Sequence, residues 1–117
     1  DVEGEELRRN EVGLFIMSLV ESVQSETADL CRQYFVERLD VFGSATSVDF
    51  DPKTSDLDFL VTFQPCTPEE HANRYFGLLF ALEELFGRPV DLVEDKAINN
   101  PYFREAVEES RQLVYGA

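Results

Sequence analysis

The chain has 117 residues, and 24 Asp and Glu against 10 Lys and Arg give a formal charge of −14 at pH 7. An apolar share of 44%, with ten Phe and four Tyr, suits one hydrophobic core and excludes a self-solvating disordered chain. No apolar run approaches the roughly 18–20 residues of a membrane span. Its few, scattered Lys and Arg exclude tight binding to a bare nucleic-acid backbone, whereas a metal-bridged nucleotide or a basic protein fits such a field.

From Leu7 to Val23 apolar residues recur at three- and four-residue steps (Val12, Phe15, Ile16, Leu19, Val20, Val23), which predicts an amphipathic helix. Ser25 or Thr27 is placed to cap a second, shorter helix running through Ala28, Leu30, Cys31 and Tyr34. Val36 to Phe42 reads as a strand ending at Gly43-Ser44, and the polar stretch from Ala45 to Ser55, with Pro52, reads as a loop. Asp56 to Phe63 alternates: Leu57, Phe59, Val61 and Phe63 share one face of a strand, Asp56, Asp58, Leu60 and Thr62 the other. Pro65 ends it.

Thr67-Pro68-Glu69-Glu70 carries a capping box and a proline for the first turn, so a helix starts there. Its buried stripe would be Tyr75, Leu78, Leu79, Leu82, Leu85 and Phe86, with Gly87 at its end and its Tyr and Phe residues assigned to the core. Pro89 to Glu94 is a short strand interrupted by Asp91. Asn100-Pro101 opens a last helix, expected over 100–115, with Phe103, Ala106, Val107, Ser110, Leu113 and Val114 inward. No repeat or long linker divides the chain, so residues 1–117 are read as one domain: N-terminal helices within 5–34, a core over 36–94 and the C-terminal helix.

Three places carry chemistry. Gly43-Ser44 follows a strand, where glycine admits close approach of a ligand and successive N–H groups suit phosphate oxygens; a plain turn has the same signature. Asp56 and Asp58 point the same way at i and i+2, a like-charge pair that a hard cation such as Mg²⁺ would relieve; a solvated strand edge or a turn cap also accounts for them. Asp91, inside Pro-Val-Asp-Leu-Val, must be paired, metal-bound or at an exposed edge. A phosphate cradle, two carboxylates bridging two ions and a third on the activating ion make up a two-metal phosphoryl-transfer site.

Val41-Phe42-Gly43-Ser44, followed after eleven intervening residues by Asp56-Leu57-Asp58-Phe59-Leu60-Val61, resembles the GS…DxD signature of the DNA polymerase β-like nucleotidyltransferase superfamily, most closely its minimal, MNT-type antitoxin branch. Phe86-Gly87-Arg88-Pro89-Val90-Asp91-Leu92-Val93 is similar to that family's third-carboxylate strand, and Asn100-Pro101-Tyr102-Phe103 with Arg111 to Tyr115 to its C-terminal helix. The resemblance implies an α/β (α+β) fold, a small mixed sheet flanked by helices. It further implies that Asp56, Asp58 and Asp91 are catalytic and hold two Mg²⁺ ions, and that Gly43 and Ser44 hold the β- and γ-phosphates of ATP. AMP would pass to a tyrosine hydroxyl of a basic partner toxin of the HEPN ribonuclease class, with which the antitoxin would form a hetero-oligomer.

Where many relatives place a basic residue directly after Gly-Ser, this chain has Ala45 and Thr46, with Lys53 farther along the loop. Two other readings stay open: an antitoxin that neutralises its partner by contact alone, and a transferase acting on a small molecule. His71, the one histidine, reads as a surface residue rather than a catalytic base, and Asp49-Phe50-Asp51 lacks the glycine and closing Glu of a calcium loop. The isolated Cys31 and Cys66, together with the absence of a visible signal peptide, predict a cytoplasmic protein without disulfides.

Overall fold

The computed structural model describes residues 20–43 and 56–116. Most of the helix expected from Leu7 to Val23 lies outside these residues, as do Ser44 and the 45–55 loop with Lys53; residues 20–22 are helical. In chain order the elements are α1 (Gln24–Gln33), β1 (Val36–Phe42), β2 (Leu57–Phe63), α2 (Pro68–Phe86), β3 (Val90–Glu94), a 3-10 turn (Asp95–Ala97), α3 (Pro101–Ser110) and β4 (Gln112–Tyr115). They build the mixed α/β arrangement expected: a four-stranded sheet in the order β3-β2-β1-β4, with β1 antiparallel to β2 and β4, and β2 parallel to β3.

The helix signals locate α2 closely. The Thr67 side chain accepts the Glu70 N–H, the Glu70 carboxylate accepts the Thr67 N–H, Pro68 occupies the first turn and Gly87 ends the helix in the left-handed region. α1 departs from its predicted start. It begins after Val23 with no side-chain cap, and the buried Thr27 hydroxyl, one turn inside, donates to the Val23 carbonyl at 2.8 Å.

The two sheet faces are covered unequally. Leu39, Val41, Leu57, Phe59 and Val61 meet Cys31 of α1 and Leu78, Leu82 and Phe86 of α2 in the main core. Burial pushes the Cys31 thiol up to about 12, so that it is a neutral packing group, and both cysteines are free. On the other face Phe42 and Leu60 pack with Val107 of α3, Val93 and Ile98 in a smaller cluster.

Two expectations are corrected. The predicted helix over 100–115 is split: α3 ends at Ser110, and Gln112–Tyr115 is a strand on the free edge of β1. Leu113 and Val114 therefore leave the helical stripe, and of the predicted inner residues in α3 only Val107 is fully buried. Pairing with β1 wins because it satisfies backbone groups that a short, frayed helix end would leave to water. The aromatic residues of α2 are not all core either. Phe76 and Phe80 project to solvent, since a rotation of about 100° per residue carries them away from Leu78 and Leu82. Among the described residues no helix is long and apolar enough to cross a membrane.

Candidate active site

Strand register decides which carboxylates meet. β2 and β3 run parallel with Asp58 opposite Asp91, so both side chains stand on the face toward α3. Asp56 precedes β2 by one residue and acts on Asp58 from the same end. Asp58 is half-buried, while Asp56 and Asp91 are exposed. Burial, then the charge of Asp91, then that of Asp56 push the Asp58 carboxyl up to about 6 from its ordinary 3.8. The three predicted carboxylates therefore share one electrostatic field.

Gly43 closes the site from β1. Phe42 pairs with Asp58 across the antiparallel ladder, and the next residue, at φ +69°, turns the chain beside that carboxylate. A Cβ at position 43 would stand 2.8 Å from Asp58 Oδ2, so only glycine permits both the turn and the contact. The Gly43 N–H, however, donates to Ser110 Oγ at 2.9 Å, and that hydroxyl donates onward to the Ala106 carbonyl at 3.0 Å. Ser110 thus fixes the turn from the end of α3. Sequence reasoning placed it on a helix face without function, and no local signal marks it.

A buried charge beside the site was also missed. Asp40 on β1 is fully buried and accepts from Arg111, through both Nε (2.9 Å) and Nη2, and from Arg38 Nε at 3.1 Å. Arg111 also reaches Glu108 at 2.8 Å. An aspartate within an apolar strand was the available signal, the same one that singled out Asp91. This network fastens α3 and β4 to the face that carries the carboxylates.

Tyr75 of α2 donates to the Leu92 carbonyl at 2.6 Å, and burial together with the charges of Asp91 and Glu94 raises its phenol pKa. His71 is not a plain surface residue: half-buried, it meets Glu94 and lies edge-on to Phe63. A cavity of about 520 Å³ lies at the opposite end of the β2–β3 pair, lined by Phe63, Pro65, Cys66, His71 and Lys96 among others, and none of the predicted site residues reaches it. Like-charge chemistry marks the carboxylate end.

Comparison with known proteins places this geometry. The model of the nucleotidyltransferase domain family matches residues 25–114. The chain belongs to that family. This nucleotidyltransferase is 38% identical over 86 residues to a Methanocaldococcus jannaschii protein provisionally named a protein adenylyltransferase, covering 74% of this chain and 82% of that one. A second such protein of the same organism is 32% identical over 83 residues, covering 71% and 79%. Among solved structures, a provisionally assigned minimal nucleotidyltransferase superposes with a TM-score of 0.62 at 32% identity, over 83% of this chain and 93% of that one. The fold is also that of a structure of a tri-AMPylated Shewanella oneidensis HEPN toxin in complex with its MNT antitoxin (TM-score 0.58, 17% identity, 84% and 73% covered).

The donor set fits a divalent cation. Among the described residues, Asp56, Asp58 and Asp91 included, no group of three or more His, Cys, Asp or Glu side chains is gathered closely enough to hold a metal ion. Mg²⁺ does not require one, because it keeps several waters and typically takes one or two carboxylates together with substrate phosphates. Two facing carboxylates, one of them raised in pKa by burial and then by the charge of the other, are the arrangement such an ion relieves.

Proposed function

We propose that this nucleotidyltransferase moves AMP from ATP to a tyrosine hydroxyl of a partner toxin of the HEPN class, and so serves as the antitoxin of a cytoplasmic pair. The observation that carries the reading is the register of Asp58 on Asp91, with Asp56 alongside and the Gly43 backbone against Asp58. The adenylyltransferase names of the relatives and the AMPylated toxin in a structure of the same fold support the choice of AMP and of a protein acceptor. Asp56 and Asp58 would hold two Mg²⁺ ions, with Asp91 sharing the first. When bound, the metal supplies positive charge to the triphosphate and lowers the pKa of the acceptor hydroxyl.

The chain's own groups do the rest. Gly43, lacking a side chain, leaves room for the phosphates while Ser110 holds its N–H, and Ser44 would add a hydroxyl donor to them. The acceptor oxygen attacks the α-phosphorus in line, the bond to the β-phosphate bridging oxygen breaks and pyrophosphate departs. Asp91, exposed on the edge strand, is reachable by a side chain of another protein and takes the proton.

The test is label transfer from α-³²P-ATP to the product of the neighbouring reading frame, provided that product carries an Arg-x(4–6)-His ribonuclease motif. Asp58→Asn and Asp91→Asn should each abolish labelling while the complex still forms. Unchanged labelling in both variants would overturn the assignment, and protection of cells by unlabelled complexes of Asp58→Asn would transfer the antitoxin role to contact alone.

A further inference from the structure

The outer surface of α1 and α2, on the sheet face away from the carboxylates, carries two aromatic rings that the core does not use, beside Leu30 and Leu85, which pack against the core and remain partly exposed. Phe76 and Phe80 are 54% and 62% exposed and stack on each other with ring centroids 6.4 Å apart. Phe80 and Glu84 are neighbours one turn apart on α2, and Glu84 borders a groove of about 480 Å³ between the two helices. The groove is lined by Leu30, Ala81 and Leu85 together with Glu26, Asp29 and Glu84. At one end the helices are drawn together where the Tyr34 ring packs directly on Gly77, a position with no room for a side chain.

Large exposed aromatics side by side on a soluble chain mark an interaction surface. The charge around them selects the occupant. Three carboxylates border the groove, of which Asp29 is paired with Arg32 at 2.8 Å, and the chain as a whole carries −14. A second copy would bring the same acids against these, so self-pairing is disfavoured by like-charge juxtaposition. A helix with apolar residues at i, i+3 or i+4 and i+7, flanked by Lys and Arg, matches both the apolar floor and the acidic border.

We infer that the α1–α2 groove, with the Phe76–Phe80 stack beside it, docks a basic amphipathic helix of a partner protein. It lies on the far side of the sheet from Asp58 and Asp91, so a protein held there keeps its grip whether or not nucleotide is bound. The inference requires no transfer chemistry, and its test contains no nucleotide, so its failure would leave the reading of the carboxylate site untouched.

The probe is a fluorescein-labelled 18-residue helical peptide with a leucine face bordered by lysines, read by anisotropy against the full chain; a leucine–glutamate peptide is the control. The lysine peptide should bind and the glutamate peptide should not. Phe76→Ser/Phe80→Ser should weaken binding at least tenfold without changing net charge, its fold checked by circular dichroism. Glu26→Lys/Glu84→Lys should exchange the preference of the two peptides, whereas Glu105→Lys/Glu109→Lys on α3 should leave it unchanged. Equal binding by the parent, the Phe variant and the Glu26/Glu84 variant would overturn the inference as mere charge attraction, as would no binding by the parent. Sedimentation showing a parent dimer that Phe76→Ser/Phe80→Ser dissociates would overturn it in favour of a second copy.

Discussion

On the side of α1 and α2 the sheet presents Leu39, Val41, Leu57, Phe59 and Val61, none more than 1% exposed, whereas the side toward α3 presents Asp40, Asp58 and Asp91 around a small apolar island. The dry face contributes stability through area removed from water and tight packing. The wet face holds charges that either have found a partner, as Asp40 has in Arg111, or face one another, as Asp58 and Asp91 do. Stability is thus gathered on one side of the sheet, and the unrelieved repulsion that invites a cation is confined to the other.

Leu82→Ala on the dry face and Asp58→Asn on the wet face should have opposite signs. The largest change is expected from the dry face: Leu82→Ala, which empties part of the fully buried α2 packing, should cost about 2–5 kcal/mol by urea unfolding. On the wet face Asp58→Asn should stabilise. The folded-state pKa of Asp58, about 6, lies above the ordinary 3.8, so its contribution is fully present below about pH 4 and is lost as pH rises through 6. The metal-free parent should therefore be weaker than Asp58→Asn at pH 8 by roughly 1–2 kcal/mol, after discounting for solvent screening of a half-exposed group, and equal to it near pH 4. Mg²⁺ at pH 8 should raise the melting midpoint of the parent and not of the variant. A parent as stable as the variant at pH 8 would erase the contrast between the faces.

The smallest effect sharpens the comparison instead. Ser110→Ala removes the acceptor of the Gly43 N–H and should cost about 1 kcal/mol. It should also shrink the melting shift produced by Mg²⁺ and ATP, because the turn beside Asp58 loses its support. A variant with the full shift would reduce Ser110 to an ordinary helix residue.

Much of the fold was legible because its signals are local. The alternation from Asp56 to Phe63, the capping box at Thr67 and the glycine at 87 each act within a few residues, and each element formed where those signals stand. The candidate carboxylates were legible for the same reason: an aspartate in an apolar strand contradicts its surroundings wherever the strand goes. Aromatic content misled in α2, since Phe76 and Phe80 share the composition of the core residues and differ only in angle around the helix. The end of the chain was misread because Leu113 and Val114 continue the spacing of α3, while the β1 edge that claims them is remote in sequence.

The amino-acid order by itself determined the types of α1, β1, β2, α2, β3 and α3, the GS…DxD spacing and the acidic field, all of which depend on neighbouring residues and total charge. Only the tertiary structure decided that Asp58 faces Asp91, that Ser110 holds Gly43 from 67 residues away and that Arg111 neutralises Asp40 across 71. Such pairings follow from strand order and register, which are fixed when the sheet faces are buried and which no short stretch of sequence encodes.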